Sequence, residues 1–312
     1  MTLEKNFVFR GCATRGELIK VVELLDRAFA NTSREYFERH VLNDPTLRPE
    51  HTRIIEYGGN IVCSVQIFPR LMNLGVTEAL FGGIGNVATD PSMRHAGLGS
   101  SIMQDALKWM TAQGYVFSML STSINSYYER FGFKTVVRTA HTLAEIQGVR
   151  DSSVRLFDEQ RDLDSLKKIY QEYNESSVGT LRRDDIYWQA QLGFSGEDRN
   201  SFLVQETDGK VSAYLRATQR KGKLLVLEFG ANRDPAGSFE RLLCDLAARN
   251  SHRPIEFFLS EYEKQRIRFR LKSTAHDDRE LMVCPLDHSA AASACSMLLE
   301  FNNCCFWMSD FF

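Results

Sequence analysis

Apolar positions recur every three to four residues over "RGELIKVVELLDRAFA" and again around "SREYFERHVL", which predicts two amphipathic helices behind a short strand at "NFVFRG". Beyond them the period changes. In "TRIIEYGGNIVCSVQIFPRLMNL" two apolar runs flank Gly58-Gly59-Asn60, a hairpin signal, and "ALFGGIGNVAT" continues as a third strand thinned by glycines. Helical spacing returns at Ile102, Met103, Ala106, Leu107 and Met110, where Ser101 with Gln104 fits a capping box and Gly114 marks the end. "YVFSML" then reads as a buried strand, "SINSYYERFG" as a short helix and "FKTVVRTAHTLAEI" as one more strand. After "EIQGVRDSS" the pattern starts again. "SVRLFDEQRDLDSLKKIYQEYN" repeats strand then helix, and "RDDIYWQAQL" is helical. Strands follow around Asp208-Gly209 and Lys221-Gly222-Lys223, and then a helix at "AGSFERLLCDLAARN" and a strand at "IEFFLS". The fold class is mixed α/β, in two similar units.

Composition narrows the setting. The chain has 312 residues, 43% hydrophobic and 25% charged, enough for two cores. With 38 Lys and Arg against 40 Asp and Glu the net charge is -2, so no overall basic field exists for nucleic acid or an anionic membrane. No run of roughly eighteen apolar residues occurs, and the N-terminus has no secretory pattern. Seven cysteines without C-x-x-C spacing predict a reducing compartment, the cytoplasm by default.

Between the strand ending "NVATDP" and the long helix stands Arg94-His95-Ala96-Gly97-Leu98-Gly99-Ser100. A glycine-bearing loop that opens a helix presents free backbone N–H groups and the positive end of the helix dipole, which suits an anion such as a diphosphate. Gly97 and Gly99 permit close backbone approach, and Arg94 adds a charge-assisted contact. For a glycine pair alone, conventional strand-to-helix capping is the favoured explanation. "GIGNVA" formally matches a dinucleotide fingerprint, but Thr89-Asp90-Pro91 prevents it from opening a helix. P-loop, nucleophile-elbow and zinc-protease motifs are missing from the sequence, and its histidines lack ligand spacing.

The pattern Arg94-x-x-Gly97-x-Gly99, followed by "SYYERFGFKTV", resembles the acetyl-CoA loop and later signature of the GNAT N-acetyltransferases, and within them the Eis-like enzymes with Tyr-x-Arg-Phe-Gly. The resemblance covers about residues 5–145. It implies two tandem GNAT-like domains, each a mixed, largely antiparallel sheet flanked by helices, at 1–148 (catalytic) and 149–312 (degenerate, its loop lacking the motif, with the C-terminal segment docked on the first). Acetyl-CoA would be the cosubstrate, held by the backbone of Asn86, Val87 and Ala88 and by Arg94, His95, Ala96, Gly97, Leu98, Gly99 and Ser100. Tyr128, rather than Tyr127, would protonate the leaving thiolate, and the α-carboxylate of Phe312 would take the amine proton. The acceptor is a primary amine of a small molecule or peptide. A third, sterol-carrier-like unit typical of the Eis-like proteins finds no room after the second. A non-catalytic acyl-CoA sensor on the same scaffold is the alternative, and homo-oligomerisation is left open.

Overall fold

The computed structural model describes residues 7–75, 77–194, 199–250, 253–286, 290–300 and 304–311. The first half runs β1 (Val8–Gly11), α1 (Arg15–Ala28), α2 (Arg34–Leu42), β2 (Thr52–Tyr57), β3 (Asn60–Asn73), β4 (Glu78–Thr89), α3 (Leu98–Ala112), β5 (Phe117–Ser121), α4 (Asn125–Glu129), β6 (Lys134–Thr135) and β7 (Arg138–Leu143). The second runs β8 (Val154–Leu156), α5 (Glu159–Asn174), α6 (Asp185–Phe194), β9 (Phe202–Thr207), β10 (Lys210–Arg220) and β11 (Lys223–Ala231). It continues with α7 (Pro235–Arg249), β12 (Ile255–Phe258), α8 (Glu261–Arg266), β13 (Thr274–Asp278), β14 (Leu281–Pro285) and α9 (Ala290–Leu299).

Among the described residues the strands form two seven-stranded mixed sheets, ordered β1-β2-β3-β4-β5-β14-β6 and β13-β7-β12-β11-β10-β9-β8. Each is antiparallel except for one parallel step, β4 with β5 and β11 with β12. The sheets do not divide at the boundary expected after residue 148. β7 lies in the second sheet between β13 and β12, while β14 lies in the first between β5 and β6. The expected single strand "FKTVVRTAHTLAEI" is therefore broken at the exposed Val137, where pairing passes from β14 to β12. Exchange of this kind is nonlocal pairing, invisible to local periodicity.

The α3 stripe is buried as its spacing predicts: Ile102, Met103, Ala106 and Met110 are all 0% exposed against β3 and β4. Such burial contributes about 1.5–3 kcal/mol for each large apolar side chain. The opposite face of the first sheet is shared. Helices α1 and α2 cover its β2 end through Leu18, Val21, Leu25 and Phe37, and α9 with the C-terminal tail covers its β5–β14 end around Phe81, Phe117 and Met119.

The tail is pinned by a buried charge network. Arg183 Nη2 donates to Glu228 Oε2 at 2.5 Å and to Asp310 Oδ2 at 2.8 Å, with all three side chains 0% exposed. Gln191 Nε2 and the Tyr187 hydroxyl also reach Asp310 Oδ1, at 2.9 and 3.2 Å, and Arg216 Nη1 lies 3.6 Å from Glu228. Burial pushes the Glu228 pKa up, but Arg183 and Arg216 outweigh it and hold the carboxyl below its usual range. The group therefore adds stability above the ordinary carboxylate pKa, and that stability is lost as pH falls through the lower folded value. Arg183→Met leaves two buried carboxylates short of a partner and is expected to cost about 3–5 kcal/mol, read from the urea midpoint. A loss below about 1 kcal/mol would show that the network is not an anchor.

Candidate active site

β4 pairs with β5 only from Phe81–Ile84 to Phe117–Leu120, and beyond this the two parallel strands part. The β5-facing edge of residues 85–89 is thus without its neighbouring strand. On the other side a bulge opens between Ser64 and Gln66, opposite Asn86 at φ +50, a left-handed value that Asn tolerates. Asn86, Val87 and Ala88 sit at that bulge, on the edge where an extended ligand can add as a strand.

The loop that follows is built around its caps. Asp90 Oδ1 accepts from the Ser92 amide (3.0 Å) and hydroxyl (2.6 Å), and Oδ2 from Arg27 (3.2 Å). The Ser92 bonds, then Arg27, hold its carboxyl below the usual range. Asp90 is a turn residue, not a free base. Glu78, the other acid flanking this strand, pairs with Arg182 at the far end of β4. His95 is left-handed at φ +66, and Arg94 Nη2 donates to the Ala28 carbonyl at 3.1 Å. Arg94, His95, Ala96 and Gly97 are exposed, while Leu98 anchors the turn in the core and Gly99 and Ser100 are half-buried.

Helix α3 begins a turn earlier than the Ser101–Gln104 capping box predicts. Its N-cap is Gly97 at φ +78, with no side-chain cap, and Ser101 instead sends its hydroxyl back to the Gly97 carbonyl. A left-handed glycine turns the chain into the helix without a capping oxygen, so the Leu98 and Gly99 amides find no acceptor among the described residues. The counterpart helix α7 shows the contrast. There Asp234 accepts from the Gly237 amide at 3.2 Å and meets Arg241 at 3.4 Å, so the chain's own carboxylate occupies the anion position. The parallel pair of the second sheet likewise spans only Leu224–Leu225 with Ile255–Glu256, and the tail wedges in beside it. Residues 304–308, with Val226, Phe257 and Phe258, line a small cavity of about 20 Å³ there. Cys304 and Cys305 belong to that apolar filling: burial pushes the Cys304 thiol up to about 12.

Tyr127 and Tyr128 stand side by side on α4, ring centroids 4.9 Å apart. Tyr127 is nearer the loop, since a Cβ on Gly99 would lie 2.9 Å from its hydroxyl, and Arg130 stacks 3.9 Å above its ring. Tyr128 is set back against Phe133, ring centroids 6.1 Å apart. Burial, then Tyr127, pushes its phenol up to about 12. The tail is described as far as Phe311, which packs on Phe306 and lies beneath the Arg138 guanidinium. Phe312 lies outside the described residues.

Two residues near the parted strands escaped the sequence reading. Glu280 accepts the Thr122 amide at 2.8 Å through its carbonyl, which brings a half-buried carboxylate beside the end of β5 from far downstream. Gln66 is 0% exposed, its Oε1 accepts from Asn86 Nδ2, and its Nε2 has no partner among the described residues. A buried donor left unpaired costs about 1–3 kcal/mol. The signal was a glutamine inside the apolar run "VCSVQIF", but its face needs the strand register.

No helix among the described residues is long and apolar enough to cross a membrane, and no group of three or more His, Cys, Asp or Glu side chains there is placed to hold a metal. The family model described as Acetyltransferase (GNAT) domain matches residues 12–136. No curated protein matches the sequence significantly. Among solved structures, the GCN5-related N-acetyltransferase from Kribbella flavida is similar at 17% identity and a TM-score of 0.69, over 91% of this chain and 72% of that one. Eis1 from Mycobacterium abscessus is similar at 14% and 0.65, over 93% and 76%. Saccharomyces cerevisiae N-myristoyltransferase with bound myristoyl-CoA is similar at 10% and 0.59, over 91% and 80%. The parted strands, the uncapped helix and the α4 tyrosines all fall inside the stretch that matches the GNAT acetyltransferase domain, residues 12–136.

Proposed function

We propose that the protein is an acetyl-CoA-dependent N-acetyltransferase acting on a primary amine of a small molecule or peptide. The carrying observation is the parting of β4 from β5 beside a helix whose first amides have no partner among the described residues, a pairing that the second half fills with its own side chains and tail. In this reading the Asn86–Ala88 edge takes the pantetheine arm, and the loop from Arg94 to Ser100 takes the diphosphate. The amine lone pair attacks the thioester carbonyl, forming C–N as C–S breaks. One proton leaves the nitrogen for a base, and another passes from Tyr128 to the departing sulfur. The test is free-thiol release from acetyl-CoA over a panel of amines, amino acids and peptides. Amine-dependent release is the expected result; acetyl-CoA binding without release would make the protein a sensor.

The base assigned in the same proposal is the Phe312 carboxylate, favoured by the anchoring of Asp310 two residues earlier. Adding a few residues beyond Phe312 is expected to lower turnover at least about tenfold, with acetyl-CoA affinity nearly unchanged. If the extended protein turns over as fast as the native one, the base lies elsewhere, and Glu280 is the next residue to substitute.

A further inference from the structure

Arg220, Lys221 and Lys223 of the β10–β11 turn line a cavity of about 140 Å³ that Met308 of the tail also lines. Two ion pairs are built into its wall: Lys223 Nζ meets Glu256 Oε2 at 2.7 Å, and Arg138 Nη2 meets Asp278 Oδ1 at 2.7 Å. Other charges there are unmatched. Arg220 and Lys221 are exposed, and neither their side chains nor the carboxylate of Glu280, which lines the same cavity, has a hydrogen bond or ion pair among the described residues. Arg138 is itself thinly compensated. Its Nε and Nη2 share the one oxygen Asp278 Oδ1, its Nη1 reaches the Met308 sulfur at 3.4 Å, and the ring centres of Phe258 and Phe311 lie 4.3 and 5.3 Å from its guanidinium carbon. Burial, opposed by Asp278 and Glu280, holds its pKa below the usual value, although a guanidinium stays charged.

The cavity adjoins the proposed reaction centre. The Glu280 carbonyl accepts the Thr122 amide just past β5, and the Arg279 carbonyl accepts from Asn125 Nδ2 at 2.8 Å, so the segment that carries Glu280 is tied to the first residue of α4, the helix of Tyr128. The unmatched charges select a ligand. A further cation against Arg220 and Lys221 is repelled, whereas a carboxylate there is matched, and Glu280 is left for an amine at the other end. We propose that this cavity receives the acceptor and that Arg220 and Lys221 bind a carboxylate on it, so that the preferred substrate is an amino acid or short peptide rather than a polyamine. The inference rests on the amine-acetylation reading and deepens it. At about 140 Å³ the cavity has the volume of four to five waters at about 30 Å³ each, enough for a carboxylate and the carbons beside it.

Glycine with glycinamide, β-alanine with β-alaninamide, and glycylglycine with glycylglycinamide serve as probe pairs, each exchanging a carboxylate for a carboxamide at a different distance from the amine. The quantity read is the acid-to-amide ratio of kcat/KM in the pair that wild type uses best, compared between wild type and the double variant Arg220→Gln/Lys221→Gln. Comparing ratios cancels the difference in basicity between acid and amide. Both residues are exposed at a turn, and Arg220→Gln alone serves if the double variant folds poorly. The ratio is expected to fall about tenfold, as for loss of a charge-assisted hydrogen bond. If the cations only support the fold or position the chain's own terminus, both members of a pair slow alike and the ratio stays where it was, which overturns this inference alone. A wild type that acetylates other amines but none of these acids does the same. If wild type binds acetyl-CoA yet releases thiol with no member of the wider panel, the transfer reading falls, and this inference with it.

Discussion

Gly97→Asp is expected to weaken acetyl-CoA binding at least about a hundredfold in a calorimetric titration, with the fold retained. Open space surrounds the position, since a Cβ there would meet nothing within 4 Å, so bulk is not the cause. Two other effects are. The residue sits at φ +78, where a side chain is strained by about 1–2 kcal/mol. The new carboxylate would also stand at the first amides of α3, as Asp234 does at α7, and compete with the diphosphate for them. Gly99→Asp should act similarly but by contact, because its Cβ falls 2.9 Å from the Tyr127 hydroxyl and displaces that ring. Unchanged affinity in both variants would move the site away from this loop.

Tyr128→Phe should leave acetyl-CoA affinity and thermal stability near those of the parent and slow turnover by roughly 10²- to 10⁴-fold, the loss typical of a general acid. Its hydroxyl makes no hydrogen bond among the described residues, so its removal costs little in the folded state. A phenol held at about 12 stays protonated across the neutral range, and no alkaline decline of kcat arises from it until pH approaches that value. Tyr127→Phe is the necessary companion, because Tyr127 lies closer to Gly99. A modest rise in KM for acetyl-CoA is its expected effect. If Tyr127→Phe carries the large loss and Tyr128→Phe does not, the two tyrosines exchange roles.

Local features of this fold were legible in the chain. The Gly58-Gly59 turn joins β2 and β3 with both glycines at positive φ, and the α3 stripe faces the sheet as its period requires. The Arg94–Ser100 loop, read from glycines and one arginine, lies at an uncapped helix start. What escaped depends on pairings distant in sequence. β14 is an apolar run like many others, and nothing within "LMVCP" says that it enters the first sheet beside β5. The capping box failed for a related reason: Ser101 and Gln104 fit a helix start in isolation, but the left-handed Gly97 had already begun the helix. Gln66 was visible as one polar residue among apolar ones. Its place on the sheet came only from the register that lines it up with Thr52 and Gly85.

On the proposed function, one half of the chain holds the acyl donor while the other has filled the equivalent place with Asp234 and its own tail. Calorimetric titration of the wild-type protein with acetyl-CoA separates this from the alternatives. One molecule bound per chain, with no binding to Gly97→Asp, is the predicted result; two molecules per chain, or one that persists in Gly97→Asp, would contradict it.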